Sequence, residues 1–279
     1  MRRIEGHRVT EERMAEAQMA RNHLARRLPT LAENPAFFST FAGLARDAAG
    51  LEVAAAKPEA AVPWLRQSAR VSALYFGRVA FPEVQAPMQI GDVEIGALAS
   101  SPPWTEATPF AWIDATWCAM AVADVVSLNW LTNIPESVLM RIAVSLPTRC
   151  DEYALGLAET LRAVVTRSGR HGDEMIRTLE AMPPAETASR RLELVDEPAL
   201  RALVPLLDRD SVGYTESLER LLTSHRAFWG AGGPVVDAPR GLVSLPACAL
   251  ERLARSLGVP QELESPYAPA AIWQAPQAT

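Results

Sequence analysis

The sequence predicts an all-α protein, a multi-helix antiparallel bundle or irregular helical array with one short β-hairpin near residues 84–97. Apolar residues recur at helical spacing along most of the chain, and prolines or N-cap residues separate the helical segments. Only residues 84–97 alternate with a period of two, around a Gly91-Asp92 pair that is typical of a hairpin turn. A hydrophobic fraction of 49% over 279 residues is sufficient for a large core.

Prolines and N-cap residues place three helices in the N-terminal third. The first is amphipathic, spans residues 4–28 and ends at Pro29. Asn34 and Pro35 form an N-cap followed by proline at the first helical position, which opens the second helix. The third helix is expected to stop near Pro82.

The rest of the chain predicts one long apolar helix, from about Pro109 to Trp130, followed by shorter helices. One of these begins after Pro135 and the next begins at Asp151. Further helices are predicted over residues 173–182, 186–194, 198–207, 211–229 and 246–258. From Glu264 the chain is rich in proline and is expected to be extended. Together the elements predict a single helical domain over residues 1–279, with residues 145–150 as a weak candidate sub-boundary.

The net charge of −6 bears on the class of partner. Direct nucleic-acid binding is disfavoured because phosphate contacts require a basic surface. A basic protein partner fits better, since opposite potentials speed encounter. The N-terminal residues mix both charge signs, and the most apolar stretch, residues 110–131, is interrupted by Asp114 and Asp124. We therefore expect a cytoplasmic protein with no secretory signal and no membrane span.

No sequence motif predicts catalysis, a cofactor or a metal. Cys118, Cys150 and Cys248 lie far apart, and the four histidines stand singly. None of these residues has the spacing of a zinc site or a helical metal site. The sequence also contains no nucleophile elbow and no glycine-rich phosphate loop. We therefore expect no enzymatic activity, no catalytic residues, no cofactor and no metal.

Several residues have both a structural and a functional interpretation. Trp112 and Trp117 are five residues apart, so they face different layers of a bundle, and core packing is favoured over a ligand site. A buried Asp124 needs a cation, and an arginine ion pair is favoured over partner contact. His225 and Trp229 share a helix face, for which packing or a buried hydrogen bond is favoured over catalysis.

Adjacent carboxylates point about 100° apart on a helix, so such a pair does not face one substrate as acid–base chemistry requires. The favoured interpretation is negative charge in the first turn of a helix, where it interacts favourably with the helix dipole. There are three of these pairs: Asp151-Glu152, Asp173-Glu174 and Asp196-Glu197.

Segments 214–230 and 241–269 resemble the end of the Immunity protein 49 family of bacterial polymorphic toxin systems. In that family a helix ending in H-R-x-[FY]-W is followed by an E-S-x-Y-x-P close. The matching positions are His225, Arg226, Phe228, Trp229, Glu264, Ser265, Tyr267 and Pro269. A W-x4-W helix with a later acid, and a D-E-Y helix opening, are matched by Trp112, Trp117, Asp124, Asp151, Glu152 and Tyr153. The resemblance covers about residues 35–270 and is weakest over 168–200.

The resemblance implies a cytoplasmic antidote that binds a cognate protein toxin domain and blocks it by stoichiometric occlusion. A nuclease is one candidate toxin, since an acidic antidote would suit a basic cleft. Glu152, Asp173 and Glu174 are then candidate partner-facing acids. The matched motif residues are expected to hold the scaffold, because contact surfaces must differ from one toxin to another. Two alternatives stay open: a helical-array adaptor, and a small-ligand-binding enzyme that uses Asp124 or His225.

Overall fold

The computed structural model describes residues 2–3, 10–100, 102, 104–145, 152–184, 186–230, 238–259 and 263–278. Within these residues the chain is mostly helical, which confirms the all-α prediction. The α-helices are α1 (Glu11–Arg27), α2 (Phe38–Ala54), α3 (Pro58–Ala80), α4 (Pro109–Ala121), α5 (Val125–Thr132), α6 (Glu136–Ser145), α7 (Glu152–Thr166), α8 (His171–Glu180), α9 (Glu197–Leu207), α10 (Ser211–Trp229), α11 (Leu245–Leu257) and α12 (Ala270–Trp273). Short 3₁₀ segments cover Leu28–Glu33, Pro35–Phe37, Trp104–Glu106 and Pro239–Leu242.

The predicted hairpin is present. Strand β2 (Met88–Ile90) pairs antiparallel with β3 (Val93–Ile95), and Gly91 turns between them at a φ of 58°. That angle lies in the left-handed region, which glycine adopts without steric cost. A two-residue strand β1 (Arg2–Arg3), which the sequence did not predict, pairs parallel with β4 (Leu263–Glu264).

The hairpin is anchored to α3 by a buried arginine. Nη2 of Arg78 donates to the carbonyl oxygens of Ala86, at 3.0 Å, and of Gly96, at 2.9 Å. These two residues flank the hairpin on either side. A single guanidinium therefore closes the base of the hairpin against the helix that precedes it.

Helix α4 lies at the centre of the fold and contacts α3, α5, α7 and α11. Its start follows ordinary capping rules: Thr108 Oγ1 accepts a hydrogen bond from the N–H of Ala111 at 3.1 Å, and Pro109 occupies the first turn. Almost every later residue of α4 is buried, including Trp112 and Trp117. A helix that is apolar all round is expected where neighbours cover every face.

The prediction of one continuous helix from Pro109 to Trp130 is wrong. Helix α4 ends at Ala121, Ala123 adopts a φ of 48°, and α5 begins after Asp124. The carboxylate of Asp124 is fully buried and accepts hydrogen bonds from Arg70 Nε and Ser127 Oγ, both at 2.9 Å. Helical periodicity alone does not reveal the break, because the partner of Asp124 lies on a distant segment of the chain.

Two further arginines bind the carbonyls left open where helices end. Arg252 Nε donates to Ala121 O at 3.1 Å, at the end of α4. Arg162 Nη1 donates to Thr132 O at 2.6 Å and to Ile134 O at 2.5 Å, at the end of α5. The last carbonyls of a helix lack intrahelical partners, so these contacts satisfy groups that burial would otherwise leave unpaired.

The C-terminal half contains the helical pairs α7–α8 and α9–α10, together with α11. The predicted helix over 186–194 begins only at Arg190, and residues Leu192–Asp196 form a π-helical segment that runs directly into α9. Helix α11 ends as predicted, with Gly258 at a φ of 70°. The tail forms the short helix α12 rather than staying extended, and Tyr267 is fully buried.

Buried apolar residues of the described chain form one cluster that extends from Leu24 to Ala275. The single-domain prediction stays a prediction, and most of the candidate boundary at 145–150 lies outside the described residues. Among the helices that the structure describes, none has the combination of length and hydropathy required to span a bilayer.

Replacing Asp124 tests the polar contact at the α4–α5 break. Asp124→Ala leaves the Arg70 guanidinium without its carboxylate in a site where the aspartate is fully buried and the arginine side chain is 13% exposed. We expect the free energy of unfolding in urea to fall by about 3–5 kcal/mol. Glu216→Gln, on an exposed position of α10, is the control and should change it by less than about 0.5 kcal/mol. A loss at Asp124 no larger than the control's would contradict this account.

Candidate functional site

A cavity of about 280 Å³ lies between α2, α4, the π-helical segment, α10 and the chain that leads into α11. This volume is close to the lower end of the range for small-molecule sites, roughly 300–1,000 Å³. Apolar and charged side chains share its walls: Trp117, Val195, Phe228, Trp229, Val243, Leu245 and Pro246, with Arg46, Asp114, Arg191, His225 and Arg240.

Ion pairs connect the charged wall across three elements. Asp114, on α4, accepts from Arg191 Nη2 at 2.7 Å and from Arg46 Nη1, on α2, at 3.1 Å. Arg191 Nε also donates to Asp196 Oδ2 at 3.0 Å, at the far end of the π-helical segment. The hydroxyl of Tyr153 donates to the same Asp196 oxygen at 3.2 Å, which brings α7 into the network.

A second ion pair fixes the segment that closes the cavity after α10. Arg240 donates through Nε to Asp47 Oδ1 at 2.7 Å and through Nη2 to Asp47 Oδ2 at 2.5 Å. This bidentate geometry is the strongest that an arginine and a carboxylate adopt. The backbone can approach α2 this closely because position 50 is glycine: a Cβ at Gly50 would lie 1.8 Å from Pro239 O.

Charge and burial set the pKa values of the network. Burial opposes ionisation of Asp114, but the charges of Arg191 and Arg46 outweigh it and lower the pKa to about 2. For Asp196 burial dominates, and its pKa is raised although Arg191 partly offsets the effect. Burial, together with the charge of Asp196, also raises the pKa of Tyr153 well above its usual range. Asp114 is therefore an anion at every physiological pH and a poor proton acceptor.

Some donors of the cavity walls have no acceptor within the described chain. The indole Nε1 of Trp117 is buried and has no hydrogen-bond partner there, and Trp117 as a whole is 1% exposed. Nε of Arg46 is also buried and also has no hydrogen-bond partner within the described chain. Both atoms have less than 1 Å² of accessible surface, so they lie behind the cavity surface rather than on it.

Four of the family-motif positions converge on this cavity. They are Trp117, His225, Phe228 and Trp229. His225 Nε2 donates to Gly241 O at 2.8 Å, and its ring packs edge-on against Tyr267 with centroids 5.0 Å apart. The imidazole is therefore held by hydrogen bonding and packing, as the sequence favoured. Its position in a cavity wall was not predicted.

The remaining motif positions lie elsewhere. Trp112 is buried and donates through Nε1 to Leu131 O at 3.1 Å, with the Arg162 guanidinium over its ring. Ser265 Oγ accepts from the N–H of Tyr267 at 3.2 Å, and Pro269 O accepts from Ile272 N at 2.9 Å at the start of α12. Glu264 is exposed and borders a different, wider pocket. Asp151 lies outside the described residues.

The candidate partner-facing acids divide into two groups. Glu152 and Asp173 are exposed in the first turns of α7 and α8. Glu174, by contrast, is only 2% exposed. Its carboxylate pairs with Arg170 at 2.5 Å and with Arg177 at 3.0 Å. Glu174 is therefore not part of an exposed acidic surface. It lies on a buried face of α8, the helix that packs against α7.

The arginines of the cavity were not predicted. Arg46 lies more than a hundred residues before Arg191 and Arg240, and the three have no common motif. Asp114 was recognised only as an interruption of an apolar stretch. A charged residue within an apolar helix was the one available signal, since such a group requires a partner once it is buried.

The described residues form an all-α protein whose helices enclose a cavity. The chain belongs to the Immunity protein 49 family, whose sequence model matches residues 45–272. This confirms the resemblance stated from the motifs. No curated protein and no protein of solved structure shows significant similarity to the chain.

The close approach at Gly50 can be tested directly. Gly50→Ala places a methyl group against Pro239, so we expect the 239–242 segment to be displaced and Arg240 to separate from Asp47. The free energy of unfolding should fall by about 1–3 kcal/mol, although alanine has the better helix propensity.

Gly172→Ala is the matched control, because a Cβ at this helical position meets nothing within 4 Å. That variant should be neutral or more stable by up to about 1 kcal/mol. Equal behaviour of the two alanine variants in urea denaturation would refute the packing described here.

Proposed function

We propose that this protein is a cytoplasmic immunity protein that binds a cognate bacterial toxin domain and neutralises it by stoichiometric occlusion. The family match over residues 45–272 carries the proposal. It is supported by the net charge of −6, which suits a basic toxin surface, such as the cleft of a nuclease, better than nucleic acid itself.

The chemistry of the cavity favours binding over catalysis. Its aspartate, with a pKa of about 2, is a weak base, and its arginines cannot give up a proton at physiological pH. Cys118 follows Trp117 directly in the chain and is the cysteine nearest in sequence to a cavity residue of α4. It is fully buried, and burial raises the pKa of its thiol to about 12. Such a thiol is a poor nucleophile, because the thiolate is the reactive form.

Exposed acids on α7 and α8 are the proposed partner-facing groups. Glu152 begins α7, Asp173 lies in the first turn of α8, and the two helices pack against each other. Both side chains are exposed, so the two positions present carboxylates to solvent. During association these two carboxylates would attract a basic toxin domain over a long range and so steer its approach.

Co-expression with the toxin domain encoded beside this gene tests the proposal. The protein should restore growth to cells that make the toxin, and the two chains should purify together in equal amounts. An unrelated helical protein expressed at the same level is the control for non-specific rescue. If the protein neither rescued growth nor purified with the toxin, the immunity role would be rejected.

Charge reversal tests the acidic surface separately. The double variant Glu152→Lys/Asp173→Lys should slow association with the toxin about tenfold at low salt and flatten the dependence of the rate on ionic strength. The control reverses two exposed acids of other elements, Asp92→Lys and Glu216→Lys, and changes net charge equally. An effect of equal size in the two double variants would mean that net charge alone steers the complex. No effect in either would contradict electrostatic steering.

A further inference from the structure

A groove of about 410 Å³ lies between the end of α8, the π-helical segment and the start of α9. None of its described lining residues lines the cavity beside α4. The apolar part of the groove consists of Leu179, Met182, Pro183, Ala188 and Leu192. All of these except Leu192 are only partly buried, so they retain surface that a partner can contact.

The apolar surface of the groove continues onto the exposed face of α8. Ile176 is 58% exposed and lies one helical turn before Leu179, so the two side chains are neighbours. The opposite face of α8 is buried through Glu174, Met175 and Thr178, so the packing of this helix does not require an isoleucine at position 176. A single exposed apolar residue needs no explanation, but an apolar surface that continues into a groove is typical of a protein–protein contact.

The charges around this groove are only partly compensated. Residues 170–201 contain five arginines and seven carboxylates. Every one of these arginines is bonded to a carboxylate of the same stretch: Arg170 and Arg177 to Glu174, Arg190 to Glu193, Arg191 to Asp196 and Arg201 to Glu197. The three carboxylates that form no ion pair within the described chain are Asp173, Glu180 and Glu186.

These three carboxylates border the apolar surface. Asp173, Ile176 and Glu180 follow one another at i, i+3 and i+7, so they share the exposed face of α8. Glu186 is exposed on the segment between Pro183 and Ala188, both of which line the groove. The apolar surface is therefore edged by uncompensated negative charge, which attracts a basic partner and repels an acidic one.

We propose that the groove between α8 and α9 is the docking surface for the toxin domain, which inserts an apolar side chain flanked by lysine or arginine. The apolar side chain packs against Ile176 and Leu179, and the flanking cations meet the unpaired carboxylates. A second copy of this chain is a poorer occupant, because it would bring its own net charge of −6 to an acidic surface. This inference rests on the proposed immunity role and names the surface that serves it.

Ile176→Ser tests the apolar contact, with the toxin domain recovered from the co-purified complex as the probe. The dissociation constant should rise at least about tenfold, mainly through faster dissociation, because an apolar anchor is lost from the interface. The fold should be unaffected, since the side chain is exposed and serine and isoleucine have similar helix propensities. An unchanged urea midpoint checks this point.

Met19→Ser is the matched control for the apolar contact. Met19 is 65% exposed on α1, a helix that does not line the groove. This variant should bind the toxin domain with the affinity of the unmodified protein. Equal weakening by Met19→Ser and Ile176→Ser would overturn the assignment to the groove.

The double variant Glu180→Gln/Glu186→Gln tests the unpaired carboxylates. Association with the toxin domain should slow about threefold at low salt, and the difference should shrink as salt is added. The control, Asp92→Asn/Glu216→Gln, removes two exposed carboxylates from other elements and changes the net charge equally. If both double variants slowed association to the same extent, the carboxylates at the groove would have no special part in docking.

The outcomes separate this inference from the immunity role. If the unmodified protein bound the toxin domain and Ile176→Ser bound it equally well, the groove would be rejected while the immunity role remained. If the unmodified protein neither rescued growth nor bound the toxin domain, both would be rejected. A dimer of the unmodified protein in sedimentation velocity that Ile176→Ser converted to a monomer would overturn the choice of the toxin as occupant.

Discussion

The buried ion pair between Asp124 and Arg70 is the contact on which the arrangement of the central helices depends. It lies at the break between α4 and α5, and contacts to the hairpin and to the C-terminal end of the described chain lie next to it. Arg70 also donates to Gln89 O at 2.8 Å, in the hairpin. The N–H of Ala278 donates to Ala123 O at 3.1 Å, so the C-terminal end of the described chain closes on the same break.

Because Asp124 is buried, both partners of the ion pair are required for stability. A carboxylate without solvent must be matched by donors, and removing one partner of a buried pair costs far more than the pair contributes by itself. The break ends α4 at Ala121, which leaves a carbonyl for Arg252 to bind. Because the length and direction of α4 are fixed in this way, Asp114 and Trp117 lie on the side of α4 that lines the cavity. There Arg46 of α2 and Arg191, which precedes the π-helical segment, bind Asp114.

Arginine has a consistent part in this molecule. Arg78, Arg162 and Arg252 bind backbone carbonyls where helices or hairpin strands end, while Arg46, Arg191 and Arg240 bind carboxylates around the cavity. The planar guanidinium with its several N–H groups suits both tasks, since one side chain can satisfy acceptors from different segments.

Much of the fold was predictable because helix periodicity, prolines and caps are local signals. The hairpin around Gly91, the opening of α4 at Pro109 and the end of α11 at Gly258 follow from residues within a few positions of each boundary. The break at Asp124 was not predictable, because its cause is an arginine 54 residues earlier in the chain. The cavity was missed for the same reason. Its tryptophan and histidine were recognised as motif positions, but only the folded chain brings Arg46, Arg191 and Arg240 beside them.

A double-mutant cycle on Asp124 and Arg70 tests the central claim most directly. Urea denaturation of Asp124→Asn, Arg70→Met and the double variant gives the coupling free energy between the two side chains. The account predicts a coupling of about 2–3 kcal/mol, with the double variant more stable than the sum of the single losses implies. Losses that simply add, with a coupling below about 0.5 kcal/mol, would show that the ion pair does not hold the break between α4 and α5.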